Sequence, residues 1–264
     1  MEHNILHSKI YGEDKPGTPL LVFHGLFGML DNWGSFGKIF GEYFPVHLID
    51  LRNHGKSFHS EEMSHDAMAH DITHYMDHHG MAKVNLLGHS LGGKAVMQFA
   101  IKYPVKVEKL IVVDIAPKAY PPHHQGIIKA LQSVEFEEDT TRQEVEEALK
   151  IYIPEMSVIQ FLTKNLYWTD DKILAWRFNL PVLSEKYDEF VSNAVKFGVF
   201  SGKTLFISGA KSDYILPQDN FQIKQQFPDS SVVQVSNAGH WVQAENPKEF
   251  NSVVQDFLLE TRKA

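Results

Sequence analysis

The chain has 264 residues and a formal net charge of −8; 43% of it is hydrophobic and 22% charged, and it contains no cysteine. That length suits one large domain, or a core with an inserted subdomain, and the composition is that of a globular protein able to bury a sizeable core. The acidic balance argues against nucleic acid as a partner, because a phosphate backbone needs a positive face. The lack of cysteine removes disulfides, thiolate metal sites and cysteine nucleophiles, and fits a reducing compartment.

The segment Met1 to His7 has no basic start followed by an apolar stretch, and no run of about 18 apolar residues occurs anywhere. A cytoplasmic protein without signal peptide or membrane span is therefore expected. The 15 histidines include the adjacent pairs His78-His79 and His123-His124, which lack the three- or four-residue spacing by which a helix holds a metal. No metal and no other cofactor is expected.

Along the chain, short apolar runs alternate with longer segments of helical period. Ile5 to Tyr11 alternates, as an edge strand does. Leu20 to Phe23, Val46 to Asp50, Val84 to Leu87, Leu110 to Val113, Thr204 to Ile207 and Val232 to Val235 read as buried strands. Between them, Asp66 to His79, Leu91 to Tyr103, Gln218 to Phe227 and Pro247 to Leu259 read as helices, the last opened by a first-turn proline. The pattern predicts an α/β fold, a mostly parallel twisted sheet with helices on both faces. From Pro117 to Thr204 no strand is evident. Glu135 to Lys150, Val158 to Trp168 and Lys172 to Phe178 look helical, and so long an unstructured loop is not expected. The predicted organisation is a core of residues 1–117 and 203–264 with a helical lid, 118–202, inserted.

Gly88-His89-Ser90-Leu91-Gly92 matches Gly-x-Ser-x-Gly directly after a predicted strand and before a predicted helix. This is the setting of a nucleophile elbow: a tight turn lifts the serine hydroxyl off the sheet, and small residues on either side let the chain approach itself. Ser90 is thus the candidate nucleophile. A serine needs a base, and His240, in Gly239-His240-Trp241 after the last strand, is the candidate. The tetrahedral intermediate needs an oxyanion hole. Its donors are expected from the N–H of Leu91 and, in the loop His24-Gly25-Leu26-Phe27-Gly28, the N–H of Leu26.

Two carboxylates compete as the acid that orients the base. Asp114 ends the strand Leu110 to Val113, inside an apolar run where an unpaired charge is costly. Asp213 follows the strand Thr204 to Ile207 and has exposed-looking neighbours. Spacing alone favours Asp114 slightly. Phe27, Tyr120 and Trp241 are candidates for lining an acyl pocket. Asp50 and Arg52, in Asp50-Leu51-Arg52-Asn53-His54-Gly55-Lys56-Ser57, are read as supports for the oxyanion strand. Lys94 is read as a partner of a carboxylate or as a surface charge.

These segments, with Val113-Asp114-Ile115-Ala116-Pro117 and Gly239-His240-Trp241-Val242, resemble the α/β-hydrolase superfamily over nearly the whole chain. More narrowly they look like the YbfF-type bacterial esterases. The resemblance implies an acyl hydrolase acting on short- to medium-chain esters and acyl-CoA thioesters. It also implies that Asp114 serves as the acid and that Ser212 joins it; in many superfamily members an aspartate stands where this chain has Ser212. The expected partner is a small acyl ester or thioester, and a monomer or homodimer fits equally. A carbon–carbon hydrolase or lyase using the same residues, and a non-catalytic ligand-binding relative, are the alternatives. Turnover separates the latter from an enzyme.

Overall fold

The computed structural model describes residues 4–260, so the first three residues of the segment read for a signal peptide lie outside it. Its centre is a seven-stranded sheet in the order β1-β3-β2-β4-β5-β8-β9. The strands are β1 (Ser8–Tyr11), β2 (Leu20–Phe23), β3 (Val46–Ile49), β4 (Val84–His89), β5 (Val107–Val113), β8 (Lys203–Gly209) and β9 (Ser230–Val235). All neighbours pair in parallel except β1 with β3. The strands β2, β3 and β4 are buried along their whole length, which is why they appear in the sequence as unbroken apolar runs.

Successive residues face opposite sides of a strand, and the two cores divide accordingly. Leu21, Phe23, Leu86, Leu110 and Val112 pack with α2 (His65–His78) and α3 (Leu91–Lys102). Leu20, Val22, Leu87, Ile111 and Val113 pack on the other face, against α1 (Gly34–Phe40) and α10 (Pro247–Leu259). The chain leaves β2 toward one edge of the sheet and β4 toward the other. The crevice at the carboxyl ends of these strands is where open α/β sheets bind ligands.

Between β5 and β8 lie α4 (Gln125–Gln132), α5 (Arg142–Lys150), α6 (Met156–Thr163), the antiparallel pair β6 (Leu166–Trp168) and β7 (Leu174–Trp176), α7 (Leu180–Glu185) and one π-helical turn, Asp188–Ser192. The expectation of helix across Val158 to Trp168 and Lys172 to Phe178 is therefore corrected: only Met156–Thr163 is helical, and the rest forms a hairpin. Its runs Leu-Tyr-Trp and Leu-Ala-Trp are too short to show a period, and aromatic residues favour strands. The left-handed backbone of Lys172 and the Thr169 N–H to Ile173 oxygen bond close the turn.

Among the described residues no helix is long and apolar enough to cross a membrane. Behind the sheet's working end, Arg52 forms a two-pronged ion pair with Asp71 of α2, at 2.6 and 2.8 Å, with both side chains buried. This ties the loop after β3 to the helix packed over it. Removing one partner strands a buried charge, so Asp71→Asn is expected to cost about 3–5 kcal/mol of stability in chemical denaturation.

Candidate active site

Ser90 lies between β4 and α3 with φ 51° and ψ −115°, a conformation that L-residues rarely adopt. Its N–H donates to the Val113 carbonyl of β5, 3.0 Å away. The turn closes only because its flanks are glycine. A Cβ on Gly88 would lie 2.2 Å from the Gly92 oxygen, and one on Gly92 would lie 2.5 Å from the Phe23 oxygen. Two further residues with left-handed backbone, Phe27 and Asp114, stand at the ends of neighbouring strands. Unfavourable backbone geometry thus gathers at one place, as it does in functional sites.

Asp114 is fully buried at the end of β5. Its Oδ1 accepts the Gly209 N–H at 3.1 Å, while Oδ2 accepts the Ser212 hydroxyl and is 2.7 Å from His240 Nδ1. With Nδ1 donating to the carboxylate, a neutral His240 presents a bare Nε2, the acceptor a base requires. Asp213 is exposed and turned away from this cluster; its neighbour Ser212 takes the inward place.

The His240 ring lies between two others. Tyr214 stacks on it at 3.9 Å with 19° between planes, and His89 is 4.8 Å away. His89 Nε2 is 2.8 Å from the His240 carbonyl oxygen and donates to it. Glu245 braces the peptides on both sides of His240, accepting from the Gly239 and Trp241 N–H groups. Neither Tyr214 nor Glu245 carried a signal in the sequence. Both act through a local turn whose geometry only the fold supplies.

The loop after β2 faces Ser90. The His24 carbonyl accepts the Gly92 N–H, which holds loop and nucleophile helix together. Among the described residues, the N–H groups of Leu26 and Leu91 have no protein acceptor, so both remain available. Two buried imidazoles support this loop. His24 donates from Nδ1 to the Gly25 oxygen and accepts the Leu51 N–H at Nε2. His54 donates from Nδ1 to the Arg52 oxygen and accepts the Phe27 N–H at Nε2. Asp50 accepts the N–H groups of Leu30 and Lys56, which ties the Asp50–Ser57 segment to the loop after β2.

Two chambers open at Ser90. The larger includes Leu26, Phe27, Phe161, His240 and Trp241 in its walls. The smaller includes Leu91, Lys94, Tyr120 and Tyr214. Phe27, Tyr120 and Trp241 therefore all border cavities at the candidate nucleophile. Lys94 departs from expectation. It is buried, and its ammonium donates to the carbonyl oxygens of Val191 and Asn193, at 2.5 Å each, rather than to a carboxylate. Burial lowers its pKa to about 7.

With this geometry in view, comparison with known proteins is specific. Residues 18–151 match the alpha/beta hydrolase fold family. The chain is 34% identical to the esterase YbfF of Escherichia coli strain K12, over 91% of this chain and 93% of that protein. It is 35% identical to the mouse sn-1-specific diacylglycerol lipase ABHD11, over 91% of this chain and 81% of that one. A solved marine microorganism esterase superposes with a TM-score of 0.93 at 37% identity, covering 97% of this chain and all of its own. The chain belongs to the α/β-hydrolase fold family, and its kinship is with carboxylic ester hydrolases.

The buried imidazoles make the site's scaffold acid-sensitive. Burial lowers the pKa of His24 to about 4; burial, and secondarily the neighbouring His24 and His240 rings respectively, lowers His54 and His89 to about 3. Above about pH 6.5 these groups are neutral in both folded and unfolded chains; below it the unfolded chain binds protons that the fold refuses. Their contribution to stability is thus complete above about pH 6.5 and is lost as the pH falls toward about 4. The thermal midpoint should drop steeply as the pH falls from about 6 to 4.5, while above about pH 6.5 these imidazoles add no further pH dependence.

Proposed function

We propose that the chain is a serine esterase that cleaves short- to medium-chain carboxylic esters, and acyl thioesters at the same serine, through an acyl-enzyme. Ser90 attacks the carbonyl carbon while His240 Nε2 takes its proton. Asp114 holds the imidazole by its Nδ1 proton and stabilises the imidazolium that forms. The Leu26 and Leu91 N–H groups receive the oxyanion. The alcohol leaves with the proton from His240, and water then repeats the sequence on the acyl-enzyme.

The observation that carries this reading is the 2.7 Å contact of His240 with a fully buried Asp114, beside a strained, glycine-flanked Ser90. A buried carboxylate is costly unless paired, and this one spends its acceptors on the imidazole, on Ser212 and on a main-chain N–H. Ser212 supports it without competing for the base. An uncharged substrate with an apolar acyl part suits the aromatic walls, as does the kinship with an esterase and a diacylglycerol lipase. In this reading residues 118–202 act as a cap over the site, since His124, Ile127, Val158 and Phe161 from that segment close the larger chamber. The lack of cysteine favours a cytoplasmic setting.

Hydrolysis of p-nitrophenyl butyrate tests the assignment. Ser90→Ala is expected to lower kcat by about 10⁴-fold or more, and Asp114→Asn by about 10²–10⁴-fold. Asp213→Asn is expected to stay within about twofold of wild type, as a surface substitution should. Full activity in Ser90→Ala, or a steep loss confined to Asp213→Asn, would contradict the reading.

A further inference from the structure

The two chambers share three lining residues: Ser90, Leu26 and His124. The first two have places in the proposed chemistry; His124 has none. An ester attacked at Ser90 must set its acyl part in one chamber and its alcohol part in the other. The scissile bond then lies beside His124, on the wall that precedes α4.

Tyr187 orients that ring. Its hydroxyl is 2.6 Å from His124 Nδ1. The phenol is buried, which raises its pKa, while the nearby main chain of His124 and His123 pulls the other way. Among the described residues the hydroxyl has no other acceptor, so its hydrogen goes to Nδ1, and a neutral imidazole so engaged carries its proton on Nε2. Burial, aided by His123 and His240, lowers the pKa of His124 to about 4, so the ring is neutral at ordinary pH. Among the described residues Nε2–H has no protein acceptor.

We propose that His124 Nε2–H donates a hydrogen bond to the leaving-group oxygen of an ester lying across the two chambers, and so selects oxygen esters over thioesters. This rests on Ser90 being the nucleophile. As the ester C–O bond breaks and the Ser90 Oγ–acyl bond forms, negative charge grows on the departing oxygen and strengthens the hydrogen bond. His240 still delivers the proton it took from Ser90, and His124 keeps its own. A thioester gains little, because sulfur is a weak acceptor.

The test is kcat/KM for ethyl butyrate and S-ethyl thiobutyrate in the wild type, His124→Phe, His124→Gln and Tyr187→Phe. His124→Phe is expected to lose about 10- to 100-fold on the oxygen ester and less than about twofold on the thioester, the scale of one lost transition-state donor. His124→Gln, whose amide can donate, should keep most of the preference. Tyr187→Phe, which frees the tautomer, should fall between. A general structural defect would lower both substrates together. Equal losses on the two, or no loss on either, would overturn the inference and leave the Ser90 chemistry standing. A wild type inert toward both would instead defeat the esterase reading. If His124→Phe does not fold, the ratio in Tyr187→Phe decides by the same criterion.

Discussion

The turn at Ser90 is the constraint on which the rest depends. A left-handed serine costs of order 1–3 kcal/mol unless its surroundings fix it. Here they do. Its N–H is spent on the Val113 carbonyl, and Gly88 and Gly92 stand where no Cβ fits. The same closeness gives the turn its use. Because Gly92 touches the backbone of Phe23 and His24, the loop after β2 must run beside the serine, with the Leu26 and Leu91 N–H groups free of any acceptor among the described residues. Strain at one residue and order in its neighbours are two aspects of one packing solution.

A second layer holds this arrangement with neutral groups. His24 and His54 each use a defined tautomer and deep burial to join main-chain atoms of separate loops, and the buried His89 donates to the His240 carbonyl. A charged side chain in these places would place its field beside the proposed nucleophile. An uncharged imidazole supplies one donor and one acceptor without that disturbance. Asp114 has its acceptors occupied, and the Lys94 amine, its pKa lowered by burial, is given over to two carbonyls. The high histidine content thus has a structural basis: several of these residues are internal connectors.

Much of this was legible in the chain. The central strands are buried on both faces and so spell themselves as apolar runs, and the Ser90 elbow is written in five consecutive residues flanked by strand and helix. Asp114 was harder. Its bond to His240 joins positions 126 apart, and sequence offers only the oddity of a carboxylate in an apolar run. The hairpin β6–β7 was hidden because three-residue strands have no readable period. The helix Gly34–Phe40 was equally hidden, with two glycines in its seven residues. Lys94 misled for a related reason: its acceptors are main-chain carbonyls, which no side-chain pattern reports.

The most direct measurement is a crystal structure of the protein after reaction with an alkyl fluorophosphonate, which mimics the tetrahedral intermediate. The expected adduct is a bond from Ser90 Oγ to phosphorus, with the phosphoryl oxygen about 2.7–3.1 Å from the N–H groups of both Leu26 and Leu91. Phosphorus on another residue, or a phosphoryl oxygen out of reach of both amides, would contradict the proposed chemistry.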